Sequence, residues 1–271
     1  MRIDKTVTLI MSKFLRNRPD NNITILMYHS ITPVLSNKKH PYFSIETTPD
    51  TFEKQLKCLK AEGYQIIRLA DILKKKNESG KKNIILTFDD GYSDFYKYAL
   101  PIIKKYGFTA TVFIPSGLIG NNNNFLEGKE LMNWDQIYEC RKHNIEFASH
   151  SLNHRVLTNL SYEELENDIN ESKKIIERKL NVPISLFAYP YKFPEENRAF
   201  IENIIRLLKK YEFSHAVTTR IGRARSTDNL FTLKRIPINE YDDEQFFKAK
   251  INGAYDWLYY LQLMKKKLRL S

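Results

Sequence analysis

Only two cysteines, Cys58 and Cys140, occur in 271 residues. That excludes a disulfide framework and a cysteine-based zinc knuckle, and it fits a reducing compartment. Glycine and proline are sparse, at nine and ten, so no stretch reads as an interdomain linker, and no internal repeat is visible. The one low-complexity stretch, Asn121 to Asn124, reads as a loop. No apolar run is long enough to span a bilayer. The N-terminus pairs positive charge with a short apolar run, Val7 to Met11, but Lys13, Arg16 and Arg18 interrupt it and no small-residue cleavage site follows. The expectation is a cytoplasmic protein without a signal peptide.

What is present is positive charge and a sizeable apolar fraction. At 42% hydrophobic the chain can fill the core of one large α/β domain. Net charge is +11. No aromatic-basic nucleic-acid module accompanies it, so an anionic lipid surface or an anionic glycan carrier is the more economical partner. The C-terminus agrees: Trp257, Leu258, Tyr259, Tyr260, Leu261, Leu263 and Met264 precede Lys265-Lys266-Lys267-Leu268-Arg269. Aromatics followed by a basic cluster suit the inner face of a membrane; a terminal helix packed on the domain with a solvated basic end is the competing reading.

Strand and helix signals alternate. Strands are expected over Ile23–His29, Gln65–Leu69, Asn83–Phe88, Thr109–Ile114, Ile145–Ser149, Ile184–Tyr189, Phe213–Thr219 and Thr232–Ile238. Helices are expected from Thr48-Pro49, over Ala70–Lys76, over Tyr96–Tyr106 around Pro101, over Trp134–Lys142, from the capping box Ser161/Glu164 to Leu180, over Pro194–Glu212 and over Asp242–Asn252. Repeated β-then-α units predict a distorted barrel of seven to eight mostly parallel strands. The carboxyl ends of such strands form the catalytic mouth. His29, Asp89-Asp90, His150 and Tyr191 all fall there.

Asn83-Ile84-Ile85-Leu86 runs into Thr87-Phe88-Asp89-Asp90. Two adjacent carboxylates ending a buried strand cost too much desolvation to serve packing alone; they need a cation, a proton-transfer role, or both. Ile145–Ser149 ends in His150-Ser151-Leu152-Asn153-His154, and imidazoles at i and i+4 can converge on one point. One Asp and two His make a metal site with open positions, with the spare Asp beside it. His29 could be a buried histidine bonded to backbone, Tyr189-Pro190-Tyr191 a rigid turn, and Trp134 either a packing residue or the wall of a sugar cleft.

Together these segments resemble the polysaccharide deacetylase family (the NodB-homology domain, carbohydrate esterase family 4) over roughly Ile23 to Asn239. Thr87-Phe88-Asp89-Asp90-Gly91-Tyr92 is similar to its first motif, His150 to His154 to its second, and Tyr189-Pro190-Tyr191 to its third. The resemblance implies that Asp89 is the general base and that Asp90, His150 and His154 hold one divalent metal. Zn²⁺ is the default ion, with Co²⁺, Ni²⁺ or Fe²⁺ as neighbours. It also implies that the Tyr191 N–H stabilises an oxyanion. Tyr92, Trp134, Tyr189, Pro190 and Arg235 are the candidate substrate-binding residues. The family's arginine before the third-motif proline is absent and Lys192 replaces the following glycine, so Arg235 is also a candidate to orient Asp89. Leu26-Met27-Tyr28-His29 resembles the early acid motif of the poly-N-acetylglucosamine deacetylase branch. It implies that His29 is a general acid lying opposite Asp89 and held protonated by a neighbouring carboxylate, with Asp135 one candidate.

The implied organisation is a basic segment (1–22), a NodB-like catalytic domain (23–252) and an aromatic, basic tail (253–271). The implied activity is metal-dependent removal of N-acetyl groups from amino sugars of a polysaccharide or lipid-linked glycan. Competing readings are an O-acetyl esterase or small-amide hydrolase on the same site, or a glycan-binding protein with a degenerate site.

Overall fold

The computed structural model describes residues 2–15, 22–36, 40–72, 82–120, 124–225 and 227–268. Its strands are β1 (Thr24–Tyr28), β2 (Ser30–Ile31), β3 (Glu46–Thr47), β4 (Gln65–Ile66), β5 (Asn83–Phe88), β6 (Ala110–Ile114), β7 (Phe125–Leu126), β8 (Lys129–Glu130), β9 (Ile145–Ser149), β10 (Leu186–Ala188), β11 (His215–Ile221) and β12 (Leu233–Pro237). The helices are α1 (Ile3–Leu15), α2 (Pro49–Ala61), α3 (Leu100–Tyr106), α4 (Trp134–Arg141), α5 (Tyr162–Leu180), α6 (Arg198–Lys210), α7 (Glu244–Ala249) and α8 (Trp257–Leu268).

Seven parallel strands close on themselves in the order β1-β5-β6-β9-β10-β11-β12, with β1 paired to both β5 and β12. The short β4 lies beside the start of β5 at Asn83 and Ile84, and β6 takes over that edge at Thr87 and Phe88. Strand alternation sorts the side chains. Ile25, Ile85, Phe113, Ala148, Ala188, Val217 and Leu233 pack together inside the barrel. Leu26, Ile84, Leu86, Val112, Phe147, Phe187 and Ile236 pack outward under the helices. The inward row of β5 therefore reads Ile85, Thr87, Asp89, and that of β12 reads Leu233, Arg235, which brings Asp89 and Arg235 into the same top layer of the barrel.

Helix signals in the sequence have the expected physical origins. Thr48 caps α2 with Pro49 in its first turn, and Phe52, Leu56 and Leu59 are buried. Ser161 and Glu164 form the capping box of α5. The segment before Pro101 is helical but widened into a π-turn, Phe95–Ala99, as expected where proline offers no N–H to the preceding turn.

Several boundaries differ from expectation. The strand at Gln65 stops at Ile66, Leu69–Asp71 is a 3₁₀ turn, and residues 73–81, which carry most of the helix expected over Ala70–Lys76, lie outside the described residues. So do 121–123 of the asparagine run. α6 begins at Arg198 rather than Pro194, because Asn197 caps it by accepting the Phe200 N–H. The polar loop before Trp134 contains the β7–β8 hairpin.

The first residues are a helix rather than a bare basic segment. Asp4 accepts the Tyr255 hydroxyl at 3.0 Å, Lys5 pairs with Asp243, and Thr8 accepts the Trp257 indole N–H at 3.0 Å. α1 is thus docked on the chain around 243–257. In α8, Leu258 is buried and the Tyr259 hydroxyl accepts from Arg220 at 2.6 Å; Tyr260, Leu261 and Met264 are exposed. Among the described residues no helix is long and apolar enough to cross a membrane.

Candidate active site

Asp89 ends β5 with its N–H donating to Tyr28 O at 3.0 Å, so the β1–β5 ladder continues to the base of the site. Its carboxylate is gripped at both oxygens by Arg235: Nη1 donates to Oδ1 and Nη2 to Oδ2, each at 2.7 Å. The guanidinium is fully buried and its remaining donors are directed by Thr218 O (2.9 Å, from Nε) and Thr87 Oγ1 (3.1 Å). This planar fork holds Asp89 in one orientation. Burial alone would raise the Asp89 carboxyl, but the charge and hydrogen bonds of Arg235, together with the neighbouring imidazoles, outweigh it and hold the group below the usual carboxylate range.

Asp90 turns the other way because its backbone is left-handed (φ 72°), followed by Gly91 at φ 69°. Its Oδ1 faces His150 Nε2 at 3.4 Å and His154 Nε2 at 3.2 Å. The three ligand atoms lie within 4.8 Å of one another, and all three residues are buried. His150 Nδ1 lies 2.9 Å from Ala188 O. A carbonyl only accepts, so Nδ1 carries the proton and neutral His150 presents an Nε2 lone pair to Asp90. Two acceptors then face each other in a buried site, which a cation between them resolves. Protons on the imidazole Nε2 atoms are the other way to relieve the contact, and in that state, against the cost of burial, the hydrogen bonds from His150 and His154 hold Asp90 well below the usual range. In the same protonated state burial lowers His150, but hydrogen bonding to Asp90 and the two aspartate charges outweigh it and raise the group. Two imidazole nitrogens and one carboxylate oxygen fit a divalent ion with positions left open.

His29 stands beside this cluster, with Nε2 at 3.9 Å from Asp89 Oδ2. It therefore flanks Asp89 rather than lying opposite it. Its protonation also differs from expectation: burial lowers its pKa, and the attraction of Asp90 and Asp89 does not compensate. Asp135 is exposed on α4 and plays no part. Tyr191 is left-handed (φ 58°) and half-exposed, with its ring 4.6 Å from that of His154. Among the described residues its N–H has no hydrogen-bond partner.

The remaining candidates divide. Tyr92 is buried next to Asp90 and lines a cavity of about 470 Å³ between residues 34–36 and 44–46 on one side and 127–129 on the other. Arg235 is engaged with Asp89 and is not a substrate contact. Tyr189 is a core residue whose hydroxyl donates to Phe231 O at 3.0 Å, and Pro190 is buried beside it. Trp134 is partly buried, with Gly120 against its edge and the Lys179 ammonium over its ring. The cavity wall from the β7–β8 hairpin went unread in the sequence; its signal was the turn Glu127-Gly128, both with positive φ.

The polysaccharide deacetylase family profile matches residues 76–213, just over half of the chain. The chain belongs to the polysaccharide deacetylase family. As such it is a hydrolase acting on carbon–nitrogen bonds. YxkH of Bacillus subtilis (strain 168), provisionally named a polysaccharide deacetylase, is 27% identical over 89% of this chain and 80% of its own length. The poly-β-1,6-N-acetyl-D-glucosamine N-deacetylase of Staphylococcus aureus is 25% identical over 84% of this chain and 83% of its own. Among solved structures, the Streptococcus pyogenes deacetylase PplD, in complex with acetate, superposes with a TM-score of 0.74 at 28% identity, covering 86% of this chain and 99% of PplD. IcaB from Ammonifex degensii shares the fold, with a TM-score of 0.71 at 21% identity over 85% of this chain and 97% of its own. His29 and Arg235 both lie outside the matched span, so their place in the site rests on the geometry above.

Proposed function

We propose that this chain is a divalent-metal-dependent N-deacetylase that releases acetate from N-acetylated amino sugars of a polysaccharide or lipid-linked glycan. The observation that carries the reading is the juxtaposition of an Arg235-clamped Asp89 with the Asp90, His150 and His154 cluster. The names of the S. aureus relative and of PplD, the latter solved with acetate, support the substrate class.

Asp90, His150 and His154 would hold the ion, with Zn²⁺ the default for this donor set. A bound divalent ion supplies Lewis acidity, polarising the acyl oxygen and lowering the pKa of water toward neutrality. Asp89 takes the proton as the nucleophile attacks. The lowered pKa of Asp89 keeps it ionised near neutrality and so able to accept that proton. The Tyr191 N–H, facing no protein acceptor, donates to the developing oxyanion. His29 is neutral at rest, so it acts as acid only after gaining a proton, and its position beside Asp89 lets the abstracted proton reach it before it protonates the departing amine.

O-acetyl ester hydrolysis is the reaction to be distinguished from this one, because an alkoxide leaving group needs less protonation than an amine. Acetate release from N-acetylglucosamine oligomers and from matched O-acetyl esters, with and without chelator, separates the two. The proposal expects chelator-sensitive release from the amides. It also expects His29→Ala to impair amides far more than activated esters. Release from esters alone, or chelator-insensitive release, overturns it.

We further propose that the exposed face of α8, carrying Tyr260, Leu261 and Met264, meets an anionic membrane surface, with the chain's +11 charge supporting that contact.

A further inference from the structure

The segment His150–His154 is bent twice into left-handed backbone, at Ser151 (φ 69°) and His154 (φ 50°). Non-glycine residues pay for that conformation, so something outside the segment must hold it. What holds it comes from α5. The buried face of that helix is Leu165, Asp168, Ile169, Ser172, Ile176 and Leu180. Two of its positions, four residues apart and so on one face, are polar and wholly buried: Asp168 and Ser172.

Asp168 Oδ1 accepts the Leu152 N–H at 2.8 Å. Its other oxygen has no hydrogen-bond partner of normal geometry among the described residues. Ser172 Oγ donates to Ser151 O at 3.0 Å and meets Ser149 Oγ at 2.6 Å. The Ser151 hydroxyl in turn accepts the His154 N–H at 3.0 Å. The Ser116 and Gly117 N–H groups also donate to Ser151 O and Leu152 O, at 3.3 and 2.7 Å. The α5 pair therefore grips the backbone that joins the two histidines, at Ser151 O and the Leu152 N–H. A buried carboxylate without a bonded cation is expensive, and an apolar side chain would fill the same helix face at less cost.

We propose that Asp168 and Ser172 are positioning residues that preset the convergence of the His150 and His154 imidazoles, so that they set the affinity of the chain for its divalent ion. This rests on the metal reading above. Residues that orient ligands without touching the metal typically contribute 10–100-fold in affinity.

The test is Co²⁺ titration of the chelator-stripped full chain, followed by visible absorption and by thermal melting of the metal-free form. Asp168→Ala and Ser172→Ala are each expected to weaken Co²⁺ binding by about 10-fold or more, with an altered absorption band. Asp168→Asn, which keeps an acceptor for the Leu152 N–H, is expected to stay within about threefold of wild type. Should Asp168→Ala fail to fold, Ser172→Ala, which removes only a hydroxyl, carries the comparison. Wild-type Co²⁺ affinity in either folded alanine variant, even with a lowered melting temperature, overturns the proposal. Failure of wild type itself to bind Co²⁺ would remove the metal reading, and this proposal with it.

Discussion

Asp89 and Asp90 are neighbours in sequence, yet their surroundings assign them opposite tasks. Asp89 shares its oxygens with a guanidinium and has no imidazole nitrogen within hydrogen-bonding distance, whereas Asp90 faces two imidazoles. Asp89→Asn should therefore retain metal at wild-type stoichiometry while turnover falls by about 10²–10⁴, the usual worth of a general base. Near-wild-type turnover would reduce Asp89 to a structural role. Arg235→Met should cost about 3–5 kcal/mol, because it strands a buried carboxylate. The pH dependence has a definite sign. In wild type the Asp89 pKa is lowered by folding, so its contribution is full above the unfolded value of about 3.9 and is lost as pH falls through the folded value. Without Arg235, desolvation raises the folded pKa above the unfolded one, and the variant should regain part of its stability as the solution is acidified from neutrality toward pH 5. Denaturant midpoints at the two pH values check this; a variant that only loses stability on acidification refutes the account.

At the scale of elements, the loops after the strands carry the site and depend on unusual backbone. Gly91 is left-handed, and a Cβ there would sit 2.6 Å from Ile114 Cγ2. Gly91→Ala should lose roughly 2–4 kcal/mol from strain and overpacking together, seen as a lowered melting temperature and weakened metal binding; an unchanged melting temperature would contradict the close packing. These loops also mark the limit of what could be read from residues alone. The strands of the barrel were legible because each is a short apolar run between turn signals, and the metal cluster because its residues sit in two local motifs. Arg235 could only be guessed at, since its partner Asp89 is 146 residues away and neither neighbour hints at the pairing. The side on which His29 lies, and the direction of its pKa shift, depend on burial that no local pattern encodes. The helix α1 is not legible in its positive charges and short apolar run, since Thr6, Val7, Thr8 and Ile10 are β-branched and poor in helix propensity; docking on the 243–257 region supplies what propensity does not.

For the whole molecule, the tail is the open test. Trp257, Leu258 and Tyr259 face inward and leave Tyr260, Leu261 and Met264 outside, so the aromatic run is divided between the domain and the surface. Full-length protein should float with anionic liposomes at low salt, and a chain ending at Asp256 should float markedly less, with binding screened at high salt. Equal flotation would mean that the segment serves the fold alone.

The closure of the barrel has a consequence for synthesis. Of the seven barrel strands β1 is the first to leave the ribosome, but one of its two partners is β12, the last of the seven. Until β12 emerges, β1 has an open edge and Asp89 has no guanidinium to compensate its burial. The last barrel strand thus both seals the barrel and brings Arg235 to Asp89. Contacts of such long sequence separation form slowly, and the nascent barrel has an unpaired, apolar strand edge for most of translation, the period in which the chain is most open to aggregation. Charge compensation of Asp89 and protection from misassembly arrive in the same step, with the docking of Leu233–Pro237.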